Sequence, residues 1–492
     1  MELKGEKNKW EDTFPVFGII LLSLTKYNLN SLSCLFCMMT FSVSGRIFQD
    51  APVCLRQGRD KQNCSTLRIH VSIKETMVKS ARHPDGATAD SSLALVCAIL
   101  QDTSDERPLP KQGGDIGALV QRLLFEISRH RCWMDWLIDG CATRRSRPRL
   151  RRVLWWSLAQ LFFMDGLPAP VVVDTACRFV KRRYAPNEAS FVNAILRKIA
   201  DMRENGAVPP IETAPPFVRA GLPELLFERW RRQLGLEETM RMGQLLQTEA
   251  PVVCRRKRYP ERKEQVCHGL EVIPPFDWCP GQEFLKSTGR QTKIPLDSFY
   301  IQDPSTALAV EMRAVEKHQT VADLCAAPGG KALLLAEILQ GTGRLVCCDK
   351  SPERLEKVRE NLRDFSNVSI SCEDALQNSL PRHSFDTVLV DVPCTNTGVI
   401  RRRPDARWTF SKEKLKELVE LQMKILEAAI TLVKPGGRVV YSTCSVESEE
   451  DEAQIDAFLA AHPDVACIGQ RKLWPDENHD GAFAASLLVR RR

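Results

Sequence analysis

The chain lacks an uninterrupted apolar stretch long enough to cross a lipid bilayer, which takes about 20 consecutive apolar residues in a helix. Its two most apolar runs, at 14–24 and 32–41, are separated by the polar sequence TKYNLNS, and no clear small-residue cleavage signal follows the first. We therefore expect neither a membrane anchor nor a secretory signal, and we expect the protein in the cytoplasm.

The eighteen cysteines lack the regular spacing of a disulfide framework. Such frameworks are typical of short secreted chains, whereas this chain has 492 residues. Cys34 and Cys37 have the spacing of half a zinc site, but no second pair follows at the distance that such a site needs. We expect reduced thiols and no bound metal.

A large excess of charge of one sign is also absent, because 69 Lys and Arg stand against 62 Asp and Glu, a net charge of +7. Hydrophobic residues make up 43% and charged residues 27% of the chain, which is ordinary for a globular protein. This composition excludes collagen-like, low-complexity and wholly disordered chains. The length of 492 residues predicts about two to four domains.

The positive charge is concentrated in one region. Residues 144–203 hold thirteen Arg and Lys against four Asp and Glu, so their net charge of +9 exceeds that of the whole chain. Apolar residues recur there at three- and four-residue spacing, which predicts an all-helical domain over 86–207 with Trp155 and Trp156 in its core. We interpret the basic residues as a surface that contacts the phosphates of a nucleic acid. The densest run is Arg144, Arg145, Arg147, Arg149, Arg151 and Arg152.

Two further regions flank this domain and carry less information. Residues 1–85 are interpreted as a disordered extension, or as a start-site artefact with translation beginning at Met77. Residues 208–318 begin with the Pro-rich linker VPPIETAPP and continue as a small α+β module. Within it VVCRRKRY is a candidate strand, whose basic side chains at 255–258 are expected to be exposed, facing either nucleic acid or solvent.

Strands and helices alternate over residues 319–492, which predicts an open, mostly parallel α/β sheet. In such sheets ligands bind beyond the carboxyl ends of the strands. The candidate strands are at 320–325, 344–349, 368–372, 386–391 and 438–444.

The first of these strands leads into a small-residue loop that begins a helix, where backbone N–H groups can meet a ligand. It is not a phosphate loop, because Cys325 stands where the first Gly is needed and Ala332 where Ser or Thr is needed. Asp349 ends the second strand, where it suits ribose hydroxyls, and Asp374 follows the third, where it suits an adenine amino group. Together these features predict an adenosine-containing cofactor. The loop comprises Cys325, Ala326, Ala327, Pro328, Gly329, Gly330 and Lys331.

Two cysteines stand at the ends of the last two strands, Cys394 in Asp391-Val392-Pro393-Cys394 and Cys444 in Ser442-Thr443-Cys444-Ser445. Most cysteines in a chain like this are small buried hydrophobic residues. A thiolate in this position can instead attack an electrophilic carbon. Spacing alone leaves open which of the two is the nucleophile.

Three long motifs resemble those of the Sun-type RNA 5-methylcytosine methyltransferases: DLCAAPGGK, DVPCTNTGVIRRRPDARW and YSTCSVESEEDEAQI. FVNAILRK, YIQDPSTALA and GAFAASLLVR are also similar, so the resemblance extends over about 88–492. It is strongest to the branch of the family that acts on small-subunit ribosomal RNA. The resemblance implies a NusB-like RNA-binding domain over 86–207 and a Rossmann-like class I methyltransferase domain over 319–492.

The resemblance also implies a role for each candidate residue. The loop from Cys325 to Lys331 would hold S-adenosylmethionine, with Asp349 at the ribose and Asp374 at the adenine. Asp391 would lie near the methionine part and the target base. Cys444 would be the nucleophile that adds to C6 of cytosine, and Cys394 would help to release the methylated product. Arg401, Arg402 and Arg403 resemble a phosphate-contacting stretch.

The expected function is therefore methyl transfer to C5 of a cytosine in small-subunit ribosomal RNA by a monomeric enzyme. One alternative is the same chemistry on tRNA or another RNA. Another is a non-catalytic RNA-binding factor of ribosome assembly. The presence of both cysteines, all three aspartates and the glycine loop favours an enzyme.

Overall fold

The computed structural model describes residues 87–102, 114–164, 167–258, 268–289, 292–312 and 315–490. The extension over 1–85, with Cys34, Cys37 and Met77, lies outside the described residues. No helix in the described ranges combines the length and the apolar composition that a bilayer crossing requires.

The first described part of the chain is helical. Pro148 and Pro186 occupy the first positions of their helices, where a missing N–H group costs nothing. Trp156 is fully buried and Trp155 is nearly so, which confirms their predicted place in the core. The helices are α1 (Ala87–Asp102), α2 (Gly114–Cys141), α3 (Pro148–Phe162), α4 (Ala169–Arg183) and α5 (Pro186–Glu204).

Short helices and a small antiparallel sheet follow. The helices are α6 (Pro216–Arg219), α7 (Glu224–Leu234) and α8 (Leu236–Gln247). The strands are β1 (Val253–Arg256), β2 (Leu270–Val272), β3 (Phe284–Ser287) and β4 (Phe299–Ile301), in the order β2-β3-β1-β4. A further short helix, α9 (Leu308–Glu311), leads into the large sheet.

Arg255 in β1 corrects the expectation of exposed basic side chains. Its side chain is completely buried, with Nη1 2.5 Å from Glu337 Oε2 and Nε 2.9 Å from Gln302 Oε1. The neighbouring Arg256 points the other way and pairs with Glu283, partly exposed. Because side chains alternate between the faces of a strand, consecutive arginines cannot share one surface.

A seven-stranded sheet forms the C-terminal part, in the order β10-β11-β9-β8-β5-β6-β7. Strands β5 to β9 are parallel, and β10 and β11 add an antiparallel edge. The helical first part and this mixed α/β sheet confirm the predicted fold classes. The strands are β5 (Thr320–Asp323), β6 (Arg344–Asp349), β7 (Val368–Cys372), β8 (Phe385–Asp391), β9 (Val433–Thr443), β10 (Val465–Leu473) and β11 (Ala482–Val489).

Helices cover both faces of this sheet. Leu334, Leu335 and Val358 of the first two helices pack on one face, and Ile425 and Phe458 of later helices pack on the other. The helices are α10 (Gly330–Leu339), α11 (Pro352–Leu362), α12 (Ala406–Thr409), α13 (Lys412–Ile430) and α14 (Glu452–Ala461). Burial on both faces explains the continuous apolar strands.

The segment after Cys394 ties the α/β part to α2. The buried Arg407 guanidinium donates to the carbonyl oxygens of Arg129, Gly221 and Leu246. Trp408 Nε1 donates to Ser128 O at 2.8 Å. Burial lowers the pKa of Arg407 to about 10.

The buried ion pair between Arg255 and Glu337 predicts a stability effect with a matched control. We expect Glu337→Gln to lower the free energy of unfolding by about 3 kcal/mol, because it leaves a buried guanidinium without a charged partner. Glu283→Gln, which removes the exposed partner of Arg256, is expected to cost less than about 1 kcal/mol. Urea unfolding of both variants measures the difference, and equal losses contradict the prediction.

Candidate active site

Two sulfur atoms meet at the carboxyl end of the large sheet. β8 and β9 are parallel neighbours with Asp391 opposite Ser442, and the chain continues from these positions to Cys394 and Cys444. The two Sγ atoms lie 3.2 Å apart. Cys394 is buried and Cys444 is partly exposed. This end of the sheet therefore carries two thiols in different environments.

The buried carboxyl group of Glu450 holds the loop of Cys394. It accepts hydrogen bonds from Thr395 N at 2.9 Å and from Thr395 Oγ1. Gln422 Nε2 donates to it at 2.9 Å and also donates to Pro393 O at 2.9 Å. Burial raises the pKa of this carboxyl group, whereas the hydrogen bonds that it accepts lower it. Pro393 and Thr395, the residues on either side of Cys394, are thus held by hydrogen bonds to Gln422 and Glu450.

Hydroxyl groups and a glycine join the same loop to the segment of Cys444. Thr397 Oγ1 lies 3.1 Å from Ser445 Oγ and accepts a hydrogen bond from Val446 N at 3.1 Å. Gly398 N donates to Cys444 O at 3.0 Å. A Cβ atom at Gly398 would lie 2.8 Å from that oxygen, so only glycine fits this close approach.

The local environment separates the two thiols chemically. The hydrogen bond with Cys444 raises the pKa of Cys394 well above its ordinary value, and burial and the negative charges of Cys444 and Glu450 raise it further. Cys394 is therefore a thiol at neutral pH. A thiol with a raised pKa is a poor nucleophile, because the thiolate is the attacking form.

A partly buried ion pair lies beside the sulfurs. Lys331 Nζ is 2.8 Å from Asp391 Oδ2. Burial lowers the pKa of Lys331, but attraction to Asp391, and then to Cys444 and Asp323, outweighs burial and raises it. The ammonium group is thus a positive charge held near both Asp391 and Cys444.

The loop between β5 and α10 forms a cradle of small residues next to this pair. Gly329 has φ +105°, and Gly330 starts α10, where backbone N–H groups are open to a ligand. A Cβ at Gly329 would come within 3.2 Å of the Val358 backbone, so a side chain would crowd α11 there. Asp349 is buried at the end of β6 and accepts from Ala327 N at 3.3 Å. The structure thus brings Asp349 to the predicted cofactor loop.

One oxygen of a buried carboxyl group in the cradle lacks a partner among the described residues, although the other accepts a hydrogen bond from Cys325 N at 3.3 Å. Asp323 Oδ2 is buried and has no hydrogen-bond donor within the described part of the chain. Burial raises the pKa of Asp323 to about 7, and the negative charge of Asp391 adds to this effect. An oxygen without a hydrogen-bond donor, next to small residues, suits a ligand that carries a positive charge and a sugar. S-adenosylmethionine has both. No group of three or more His, Cys, Asp or Glu side chains that could hold a metal ion occurs among the described residues.

Asp374 follows Glu373, whose N donates to Asp349 O at 3.3 Å. Asp374 is exposed after β7, and its Oδ1 accepts from Leu376 N at 2.9 Å in a local turn. Its proposed place at the adenine end rests on strand order, because β7 is the next strand beyond β6.

Sequence reasoning missed three polar residues of the site: Asp323, Asn396 and Glu450. Asp323 ends a buried strand directly before the predicted loop, a signal that could have identified it. Asn396 and Glu450 lie in loops, where nothing in the spacing indicates contact with a thiol. Asn396 is left-handed, with φ +61°, and its side chain reaches both cysteines, with Oδ1 3.2 Å from Cys444 Sγ and Nδ2 2.9 Å from Cys394 O.

Arg401, Arg402 and Arg403 all have partners within the fold, and their contact with phosphate stays a prediction. Arg402 pairs with Asp303 and Asp480, both at 2.7 Å. Arg401 donates to backbone carbonyl oxygens at 249, 476 and 477, and Arg403 pairs with Asp405. These guanidinium groups hold loops together, because acceptors within the fold already occupy them.

The basic run of the helical part is divided between internal ion pairs and surface. Arg147 and Arg149 both bind Glu188, at 2.9 and 2.8 Å, and Arg151 binds Asp135 and Asp139. Arg144 and Arg145 are exposed. They line a cleft of about 300 Å³ with Phe191, whose ring centroid lies 5.2 Å from the Arg144 guanidinium. We call the surface around Arg144, Arg145 and Phe191 the arginine cleft.

Comparison with known proteins identifies both parts of the chain. A family model described as 16S rRNA methyltransferase RsmB/F matches residues 310–488, and a NusB family model matches residues 90–201.

Individual relatives match over most of their length. A ribosomal RNA small subunit methyltransferase B of Xylella fastidiosa is 30% identical over 432 residues, covering 82% of this chain and 96% of that protein. One of Salmonella arizonae is 36% identical over 398 residues, covering 75% and 90%. The crystal structure of PH0851 superimposes with a TM-score of 0.62 at 24% identity, covering 76% of this chain and 90% of that one, which shows a shared fold.

Proposed function

Because the chain belongs to the ribosomal RNA small subunit methyltransferase B family, we propose that it methylates C5 of a cytosine in small-subunit ribosomal RNA. The methyl donor is S-adenosylmethionine, and the reaction passes through a covalent bond between Cys444 and C6 of the base. We further propose that the enzyme acts in the cytoplasm, where the thiols stay reduced.

The observation that carries this proposal is the pair of sulfur atoms 3.2 Å apart beside the Lys331–Asp391 ion pair. C5 of cytosine is a weak nucleophile, so a methyltransferase must first activate the ring. Addition of a thiolate to C6 does this, because it gives C5 the character of an enamine carbon. A thiol, a nearby cation and a second thiol are the groups that such a reaction needs.

The environments of the thiols support Cys444 as the nucleophile. Cys444 is partly exposed, so a base can reach it, and it lies near the Lys331 ammonium group. The raised pKa of Cys394 keeps its proton in place and makes its conjugate base strongly basic. Cys394 therefore suits proton transfer during release of the product rather than attack on the ring.

The residues that would hold the cofactor lie in the loop after β5 and at or beyond the carboxyl ends of β6 and β7. When bound, S-adenosylmethionine supplies an electrophilic methyl group on a sulfonium centre. The loop over 325–331 would accommodate it closely, Asp349 would accept hydrogen bonds from ribose hydroxyls, and Asp374 would lie toward the adenine. Asp391, by sharing a proton with N3 of the cytosine, would stabilise the charge that develops on the ring as the thiolate adds.

The later steps return the enzyme to its starting state. A base, either a water molecule or Cys394 once it has given up its own proton, takes the C5 proton after C5 has gained the methyl group, and the bond between Cys444 Sγ and C6 then breaks. The electron pair of that bond returns to sulfur, and the ring regains its double bond. The target base must be unstacked or single-stranded to reach the sulfurs, which fits loops of ribosomal RNA.

A pair of cysteine variants tests the proposed reaction. We expect Cys444→Ala to form no covalent RNA complex and no methylated product, because C5 is not activated. We expect Cys394→Ala to accumulate a covalent RNA complex, because release is blocked. Denaturing gels with labelled ribosomal RNA and S-adenosylmethionine measure both.

For each variant, a different outcome would contradict the proposal. Methylation by Cys444→Ala removes Cys444 as the nucleophile. A Cys394→Ala protein that folds and binds RNA but forms no adduct removes the release role of Cys394.

The arginine cleft supports RNA as the substrate, because exposed guanidinium groups on a basic helical domain suit phosphates. We expect the double variant Arg144→Ala, Arg145→Ala to bind ribosomal RNA about tenfold more weakly and to lower the salt slope by about 2. Arg231→Ala, Arg232→Ala on α7, also exposed, is the matched control and is expected to leave affinity unchanged. Fluorescence anisotropy at several KCl concentrations measures both; equal effects contradict a specific role of the cleft.

A further inference from the structure

The two thiols at the carboxyl end of the large sheet are close enough to react with each other. Their Sγ atoms lie 3.2 Å apart, which is a near-attack distance. A disulfide bond is about 2.05 Å long, so the sulfurs have to approach by only about 1 Å. Cys444 O accepts from Gly398 N at 3.0 Å, so the two segments are already joined through the backbone. A bond between the sulfurs therefore requires little movement of the chain.

Exposure decides which of the two sulfurs an oxidant in solution meets first. Cys444 is partly exposed and lies near the Lys331 ammonium group, whereas Cys394 is buried. The hydrogen bond with Cys444, together with burial, raises the pKa of Cys394 and keeps its proton in place. An accessible cysteine next to a second, resolving cysteine is the arrangement of reversible redox-sensing sites.

We propose that Cys394 and Cys444 form a reversible oxidation site, in which a hydroperoxide converts the two thiols into a disulfide bond. Disulfides of cytoplasmic proteins are usually transient, and such a bond is compatible with a reducing compartment. The bond itself does not depend on methyl transfer. Its consequence for RNA rests on the proposed function: the disulfide removes the nucleophile, and a thiol reductant restores it.

The reaction balances with the hydroperoxide as the only oxidant. The Cys444 thiol gives its proton to water, and the thiolate attacks one oxygen of the hydroperoxide. An S–O bond forms, the O–O bond breaks, and the other oxygen leaves with a proton as an alcohol or as water. The Cys394 sulfur then attacks the sulfenic sulfur of Cys444, so that the S–S bond forms and the S–O bond breaks. The departing hydroxide takes the Cys394 proton and becomes water.

The same step protects Cys444 from irreversible damage. A sulfenic acid without a resolving thiol reacts with a second hydroperoxide to give a sulfinic acid, which thiol reductants do not reverse. Cys394 is 3.2 Å away and needs no encounter through solution, so disulfide formation precedes this second oxidation. Cys394 thus has a role that its proposed part in product release does not require.

The test maps the oxidised cysteines of the purified full-length protein in the absence of RNA. The reduced chain is treated with hydrogen peroxide, the remaining thiols are alkylated, and tryptic peptides are analysed by mass spectrometry without reductant. We expect the peptide 383–401, which contains Cys394, to be linked to the peptide 439–471, which contains Cys444. Dithiothreitol is expected to separate the two peptides and to restore RNA methylation.

Two variants identify the linked cysteine and the protective role. The peptide 439–471 also contains Cys467, a partly exposed cysteine of β10, so Cys467→Ala is the matched control and is expected to form the same link. We expect Cys394→Ala to carry about tenfold more sulfinic acid at Cys444 than the parent at equal peroxide, because no thiol resolves the sulfenic acid.

The outcomes separate this inference from the proposed function. The oxidation site is wrong if the parent protein carries sulfinic acid at Cys444 without a link to 383–401, or if Cys467→Ala abolishes the link. Equal amounts of sulfinic acid in Cys394→Ala and the parent also contradict it. A link that forms in a protein that does not methylate RNA when reduced supports the oxidation site and contradicts the proposed function.

Discussion

The buried carboxyl group of Glu450 is the contact on which the geometry of the site depends. Without it, Thr395 N, Thr395 Oγ1 and Gln422 Nε2 would lose an acceptor in a region that water does not reach. The same carboxyl group contributes to the raised pKa of Cys394. Glu450 thus helps to hold the loop of Cys394 in place and adds to the raised pKa of its thiol.

The loop that Glu450 holds continues into the contacts between the α/β part and the helical part. After Cys394 and Asn396 the chain reaches Arg407, which binds carbonyl oxygens of α2, of Gly221 and of α8. Arg131 of α2 lies between the rings of Trp155 and Trp408, at 4.2 and 4.3 Å. The reactive loop and the basic helical region are therefore parts of one packed structure, which suits a substrate that contacts both.

Much of the fold could be predicted because its signals are local. β6 and β7 have the predicted bounds, since short apolar runs between turns identify buried parallel strands. β10 and β11 were missed: β10 is an edge strand in which Val465 and Leu473 alone are buried, so its pattern is weak. Arg255 was placed on the surface because its partner Glu337 is 82 positions away, and no local pattern shows a long-range ion pair.

The candidate site likewise contains some residues that the sequence predicts and some that it does not. Cys325 to Lys331, Asp349, Cys394 and Cys444 stand at strand ends, where parallel topology collects ligand-binding residues. Asn396 and Glu450 act through side chains whose direction only the folded loops decide. The proposed assignment of nucleophile and releasing thiol to the two cysteines rests on their burial, which spacing does not encode.

The central claim is that the chain methylates C5 of a cytosine in small-subunit ribosomal RNA. Bisulfite sequencing of that RNA, from cells with and without the gene, tests it most directly, because 5-methylcytosine resists conversion. We expect one cytosine to be protected only when the gene is present. An unchanged pattern of protected cytosines in the small-subunit RNA would contradict it.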